Sequence, residues 1–109
     1  MDAALQNDFL TIIDSAITHH RVVQIKHNNT WRTIEPYIAG IYKGTQQTSL
    51  YGFCRDVIPT LQSGPSNRWQ FFNLDDIEDI EVTLYEFRPH SDYRGTHEQI
   101  QPVYLKLNS

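Results

Sequence analysis

Three arginines and four ring-bearing side chains in the middle of the chain have the chemistry needed to bind an anionic, planar ligand. A guanidinium binds a phosphate or a carboxylate through two parallel hydrogen bonds. Aromatic rings give the bases of a single strand a surface on which to stack. The candidate anion-binding residues are Arg32, Arg68 and Arg55, and the candidate ring-binding residues are Tyr37, Tyr51, Trp69 and His27.

Each of these residues also has a purely structural interpretation. Arg32 could form an ion pair with Glu35 or with the acidic run at 75–81, and the other two arginines could be exposed strand or loop charges. A single aromatic side chain in so small a domain is more often packed in the core. His27 could be a hydrogen-bonded histidine at a sheet edge. Both interpretations stay open at the level of sequence.

No pattern in the sequence indicates catalysis. Cys54 lies in a strand-like run beside Phe53 without a candidate base, which is typical of a buried packing thiol. The acidic residues of 75–81 alternate along a predicted strand, so their carboxylates point to opposite faces and form a solvated or docking surface, not a metal site. There is no glycine-rich phosphate loop and no Ser/His/Asp arrangement. We therefore predict no enzymatic activity, no cofactor and no bound metal.

The hydrophobic pattern predicts one helix followed by strands. Apolar residues recur at helical spacing over residues 2–19, and from residue 21 the period changes to two. Asn28-Asn29 and Lys43-Gly44 are turn signals. Pro36 indicates an edge position, a bulge or a sharp bend, and Gly40 offers a second place for a bend. The Pro-, Gly- and Ser-containing run 56–67 predicts a long loop of the kind that often carries function. The predicted strands are 21–27, 30–41, 46–55, 68–74, 77–87 and 103–107.

These elements predict a mainly β, α+β fold: a small, strongly bent sheet or barrel of about six strands with an N-terminal amphipathic helix. At 109 residues the chain has the length of a single domain. We expect the helix in residues 1–20, the barrel in 21–87, and a C-terminal extension with a final strand in 88–109. A single cysteine and the absence of a signal-peptide pattern indicate the cytoplasm, and no stretch is apolar enough to cross a membrane.

The charge is unevenly distributed along the chain. The formal net charge is −4, yet residues 21–68 carry six basic and two acidic residues. A negative chain disfavours non-specific binding to nucleic acid, because that affinity comes mainly from Lys and Arg meeting phosphates. The basic middle third could still form one positive face, or its charges could be scattered around the sheet.

Taken together, the blocks Arg32-Thr-Ile-Glu-Pro-Tyr37 and Trp69-Gln-Phe-Phe-Asn-Leu-Asp-Asp-Ile77, with the strand-like run 48–55 between them, resemble a WYL domain. The likeness extends over roughly residues 10–107 and is closest to a short, stand-alone branch of this bacterial regulatory family. The family resemblance implies an Sm- or SH3-like barrel. It also implies a role in transcription regulation or phage defence, through binding single-stranded nucleic acid or a nucleotide-like ligand.

The sequence departs from the family pattern at several positions. The triplet that names the family is Thr48-Ser49-Leu50 here, and two positions at which the family often has arginine are Gln70 and Asp76. His27 stands in place of a tyrosine of the first strand. The loss of two bases weakens the implied phosphate contacts.

The residues and the resemblance together predict a non-enzymatic regulatory module that binds single-stranded nucleic acid or a nucleotide-like anion. The alternative is a module for protein–protein interaction or self-association, through a sheet edge or the acidic strand. Arginines gathered on one surface would favour ligand binding. Arginines on different faces, together with an uncovered apolar patch, would favour the interaction module.

Overall fold

The computed structural model describes residues 3–55, 69–91, 93, 95 and 97–107. These described residues form one α-helix, six strands and a single 3-10 turn at Leu74–Asp76. Helix α1 is Ala3–Thr18, and the strands are β1 Arg21–His27, β2 Thr30–Tyr42, β3 Gln47–Cys54, β4 Trp69–Asn73, β5 Ile77–Glu86 and β6 Ile100–Lys106. The predicted order of elements is confirmed. The predicted loop 56–67 lies outside the described residues.

The six strands form a single antiparallel sheet. Its order is β4-β3-β2-β1-β5, and β6 pairs with β2 beside this path. Along one edge of β2, residues 30–34 pair with β1 and residues 38–42 pair with β6, while the other edge pairs with β3. Among the described strands, β4 and β5 lie at the two ends and are not paired with each other. The mainly β architecture is therefore as predicted, and closure into a barrel stays a prediction.

Local sequence explains the bends and turns that shape this sheet. Asn28 and Asn29 both have positive φ angles, of 53° and 61°, as the tight turn between β1 and β2 requires. The register between β2 and β3 shifts between Pro36 and Ile38, which agrees with a bulge at Pro36. The alternative of an edge position is wrong, because β2 pairs with β3 along one edge and with β1 and β6 along the other. Gly40 is packed so closely against the backbone of β6 that a Cβ atom would clash there.

Helix α1 covers one face of the sheet. It contacts β1, β2 and β5, and the Gln6 side chain donates a hydrogen bond to the Thr48 hydroxyl on β3, at 3.1 Å. The amphipathic pattern of the helix is explained by this packing, because its apolar side chains belong to the buried core with strand residues such as Ile25, Ile34 and Leu50. Among the described residues, no helix is long and apolar enough to span a membrane.

Candidate functional site

A ladder of four aromatic rings crosses the sheet on β3 and β4. The register pairs Tyr51 with Phe71 and Phe53 with Trp69, so strand alternation places all four side chains on one face. Tyr51 stacks on Trp69 with a centroid distance of 5.3 Å and an interplanar angle of 17°, and it lies 4.8 Å from Phe71. All four rings are half-buried. We call these four residues the aromatic face.

Two tyrosines of β2 border the aromatic face. Tyr42 stacks on Phe71 with centroids 4.1 Å apart and rings 14° from parallel. Tyr37, at the bulge, packs against Trp69 at 4.9 Å. Because Tyr37 is fully buried, it supports the face from within and does not present a surface to solvent.

A buried carboxylate holds a set of polar groups beside the aromatic face. Glu35 is 5% exposed, and its Oε2 accepts a hydrogen bond from Arg55 Nε at 2.8 Å. Its Oε1 accepts from the Tyr37 hydroxyl and pairs with His90 Nε2, both at 3.2 Å. The Tyr37 hydroxyl in turn accepts from the His90 backbone N–H at 3.0 Å. A buried charge requires such partners, and here they fix Arg55 and His90 at one end of the face.

Two described histidines from the segment that connects β5 to β6 lie on the aromatic face. The His90 imidazole packs on Phe53 with centroids 4.1 Å apart. The His97 imidazole lies 4.6 Å from Tyr51 and meets Phe71 edge-on at 5.0 Å. Two imidazoles of the chain itself therefore already contact the rings that a planar ligand would use.

Tyr93 attaches the same segment to the end of the sheet. Its hydroxyl donates a hydrogen bond to the Leu107 carbonyl at 2.7 Å, and its ring lies 4.7 Å from Tyr37. Burial raises the pKa of the Tyr93 phenol above its usual value of 10.0, because the charged phenolate would lose contact with water. Tyr93 thus acts as a neutral hydrogen-bond donor that holds the segment in place.

The structure gathers some of the predicted site residues and separates others. Four of them are brought together at the aromatic face: Tyr37, Tyr51, Trp69 and Arg55. Arg55 comes directly after the end of β3, and its side chain is held by Glu35. The ion pair between Arg32 and Glu35, one of the two structural alternatives for Arg32, does not form, since Glu35 is bound by Arg55 and His90. Arg68 lies outside the described residues.

Arg32 and His27 lie on the opposite face. Arg32 pairs with Ile25 in the register of β1 and β2, so it shares a face with Ile25, whereas Glu35 lies on the other side of β2. His27 meets Phe72 edge-on at 5.7 Å, and its buried Nδ1 has no hydrogen-bond partner among the described residues. Neither residue contributes to the aromatic face.

Sequence reasoning missed Glu35, Phe71, His90 and His97 as parts of this site. Alternation along the predicted fourth strand already put Phe71 on the same side as Trp69. The positions of the two histidines had no sequence signal, because the segment that carries them has no regular periodicity.

The fold and this face define a small antiparallel sheet domain with one helix-covered side and one aromatic side. No family model matches the sequence, and no curated protein matches it either. Among solved structures, the chain is similar to proteasome accessory factor B/C (PafBC) of Arthrobacter aurescens, with a TM-score of 0.59 and 18% sequence identity. The match covers 78% of this chain and 13% of that chain. At this identity the likeness shows a shared fold and nothing more.

Proposed function

We propose that this chain is a WYL-like regulatory module whose aromatic face binds single-stranded nucleic acid or a nucleotide-like anion. The observation that carries the proposal is the ladder of four half-buried rings on β3 and β4. Single-strand binders use such rings because every base has a face on which a ring can stack, whatever the sequence. The proposal also includes three features that complete this picture: a closed SH3/Sm-like barrel, a non-enzymatic role and a cytoplasmic location.

Arg55 supplies the positive charge in this proposal. Its Nε is engaged by Glu35, and its side chain is 41% exposed. Within the described residues, its two terminal nitrogens make no hydrogen bond, so they can donate to a phosphate. Because Glu35 balances the charge of Arg55, we expect modest affinity and a shallow dependence on salt.

The test is fluorescence anisotropy with labelled oligouridine and oligodeoxythymidine at low and near-physiological salt. We expect the wild type to bind and Tyr51→Leu to lose about tenfold in affinity, because leucine keeps apolar bulk but removes one stacking surface. The matched control is Tyr85→Leu on β5, where the tyrosine is 72% exposed and outside the aromatic face. Absence of binding by a folded wild type at low salt refutes the proposal.

The arginines provide a second comparison. Arg55→Ala is expected to weaken binding and to reduce the slope of affinity against salt, since one phosphate contact is lost. Arg32→Ala is expected to leave both unchanged, because Arg32 lies on the opposite face of the sheet. Equal losses in the two variants would place the ligand elsewhere.

Two observations favour protein–protein interaction as a second candidate function. Arg32 and Arg55 lie on different faces, and the end strand β5 carries Leu84 and Tyr85 at 88% and 72% exposure. A strand at the end of a sheet with uncovered apolar side chains is a typical docking edge. If the domain self-associates through it, the mass measured by sedimentation rises with concentration, and Leu84→Lys abolishes the rise.

A further inference from the structure

The two histidines that lie on the aromatic face are held in different ways. His90 is fixed by long-range hydrogen bonds, through its side chain to Glu35 and through its backbone N–H to Tyr37. The His97 ring makes one hydrogen bond to the described residues, and that bond is local: the Gln99 backbone N–H donates to Nδ1 at 3.1 Å. Otherwise the ring is held by its contacts with Tyr51 and Phe71.

The backbone around His97 is attached independently of the imidazole. The His97 carbonyl accepts a hydrogen bond from the Ile100 N–H at 3.0 Å, and the Gln99 carbonyl accepts from the Lys43 N–H at 2.7 Å. A rotation about the His97 side-chain torsions therefore leaves these two bonds in place. The same rotation breaks the hydrogen bond between the Gln99 N–H and His97 Nδ1. Water can replace this bond because Gln99 is exposed.

The position that the His97 ring occupies has the chemistry of a site for a planar heteroaromatic ring. Tyr51 and Phe71 supply apolar surface, and the Gln99 N–H supplies a donor directed at a ring nitrogen. An imidazole whose Nδ1 accepts this bond resembles the edge of a nucleobase that carries an acceptor nitrogen.

We infer that the His97 imidazole occupies the position at which the ligand's heteroaromatic ring stacks, and that the ligand binds by replacing it. The inference rests on the proposed function, since it names the part of the ligand that the aromatic face receives. It specifies a nucleobase-like ring with an acceptor nitrogen, stacked on Tyr51 beside Phe71 and hydrogen-bonded to the Gln99 N–H.

The test compares wild type, His97→Ala and Glu98→Ala, the last a neighbouring exposed position without a ring contact. Binding of adenosine 5′-monophosphate and of free imidazole is followed by NMR of the Tyr51 and Phe71 ring signals. We expect His97→Ala to bind the nucleotide about tenfold more tightly than wild type, a factor that corresponds to about 1.4 kcal/mol of ring contact no longer displaced. Glu98→Ala should bind like wild type, and imidazole should shift the two ring signals in His97→Ala alone.

Nucleotide binding by His97→Ala that is equal to or weaker than that of wild type overturns the inference, and so does a folded His97→Ala that binds neither probe. If His97→Ala does not fold, the inference is tested on the wild type alone. Saturation with nucleotide must then remove the proton–proton contacts between His97 and Tyr51, and their persistence overturns the inference.

The inference and the proposed function can fail separately. Oligonucleotide binding by wild type with no gain in His97→Ala overturns the inference alone. Imidazole binding to the vacated position, in a protein that binds no oligonucleotide in either form, refutes the proposed function alone.

Discussion

Replacing Glu35 by glutamine tests whether the buried carboxylate organises the aromatic face. Glu35→Gln keeps the size of the side chain and removes its charge. The carboxylate accepts from Arg55 at 2.8 Å and from the Tyr37 hydroxyl at 3.2 Å, and it pairs with His90 Nε2 at 3.2 Å. A glutamine amide offers one oxygen and directs its NH₂ group at a donor, so at least one of these groups loses its acceptor.

The expected loss of stability depends on how exposed the groups that bind Glu35 are. A hydrogen bond to a charged group contributes about 1.5–3 kcal/mol, and three of them would give a far larger sum. The Arg55 and His90 side chains are 41% and 36% exposed, however, and they recover hydrogen bonds from water. The Tyr37 hydroxyl is buried and does not recover a hydrogen bond from water. We therefore expect the free energy of unfolding to fall by about 2 kcal/mol.

Urea denaturation followed by tryptophan fluorescence measures this change. The matched control is Glu86→Gln, which neutralises another Arg–Glu pair: Glu86 and Arg21 lie 3.9 Å apart, and the Glu86 side chain is 70% exposed. The control should change the free energy of unfolding by less than about 0.5 kcal/mol. Equal effects of the two substitutions would refute the organising role of Glu35.

Three further predictions concern the strands and the connecting segment. Gly52→Ala should lower the free energy of unfolding by about 1–3 kcal/mol in urea, because a Cβ would lie 2.6 Å from the Glu35 carbonyl oxygen. Above pH 10.0 the unfolded Tyr93 phenol loses its proton while the buried one keeps it, so the stability contributed by Tyr93 falls as pH rises further. Tyr93→Phe should reduce that alkaline slope in denaturation series at several pH values, and an unchanged slope would contradict the assignment. Leu84→Lys should leave the free energy of unfolding within about 0.5 kcal/mol of wild type, since Leu84 is 88% exposed.

The strands and turns could be predicted from local sequence pattern, because each of them depends mainly on residues that are neighbours in the sequence. Alternation defined β1, and the two asparagines at 28 and 29 fixed the turn after it. Pro36 predicted a local interruption of the ladder, since proline has no N–H to donate, but only the structure shows that the interruption is a shift in register within an internal strand. Alternation along the third predicted strand likewise puts Tyr51 and Arg55 on the same side of the sheet.

The composition of the candidate site depended on pairings that sequence does not encode locally. The register that sets Tyr51 opposite Phe71 joins strands separated by a long stretch of chain, and a slip of one residue would reverse every side chain. The chemistry of its guanidinium made Arg32 a candidate anion-binding residue, but the pairing with β1 places it on the face of Ile25, away from Glu35. The burial of Tyr37 depends on the segment between β5 and β6, whose position follows from tertiary contacts.

Under the proposed function, the segment between β5 and β6 links the stability of the domain to ligand binding. The rings of the aromatic face that could stack on a ligand already stabilise the fold through the imidazoles of His90 and His97. A ligand that replaces the His97 ring must first offset about 1.4 kcal/mol of contact, and its apparent affinity is then reduced about tenfold. If the ligand binds in this way, affinities measured on the wild type understate the intrinsic affinity of the aromatic face. His97→Ala should be less stable and bind more tightly, and no substitution of an exposed residue on β5 should produce that combination.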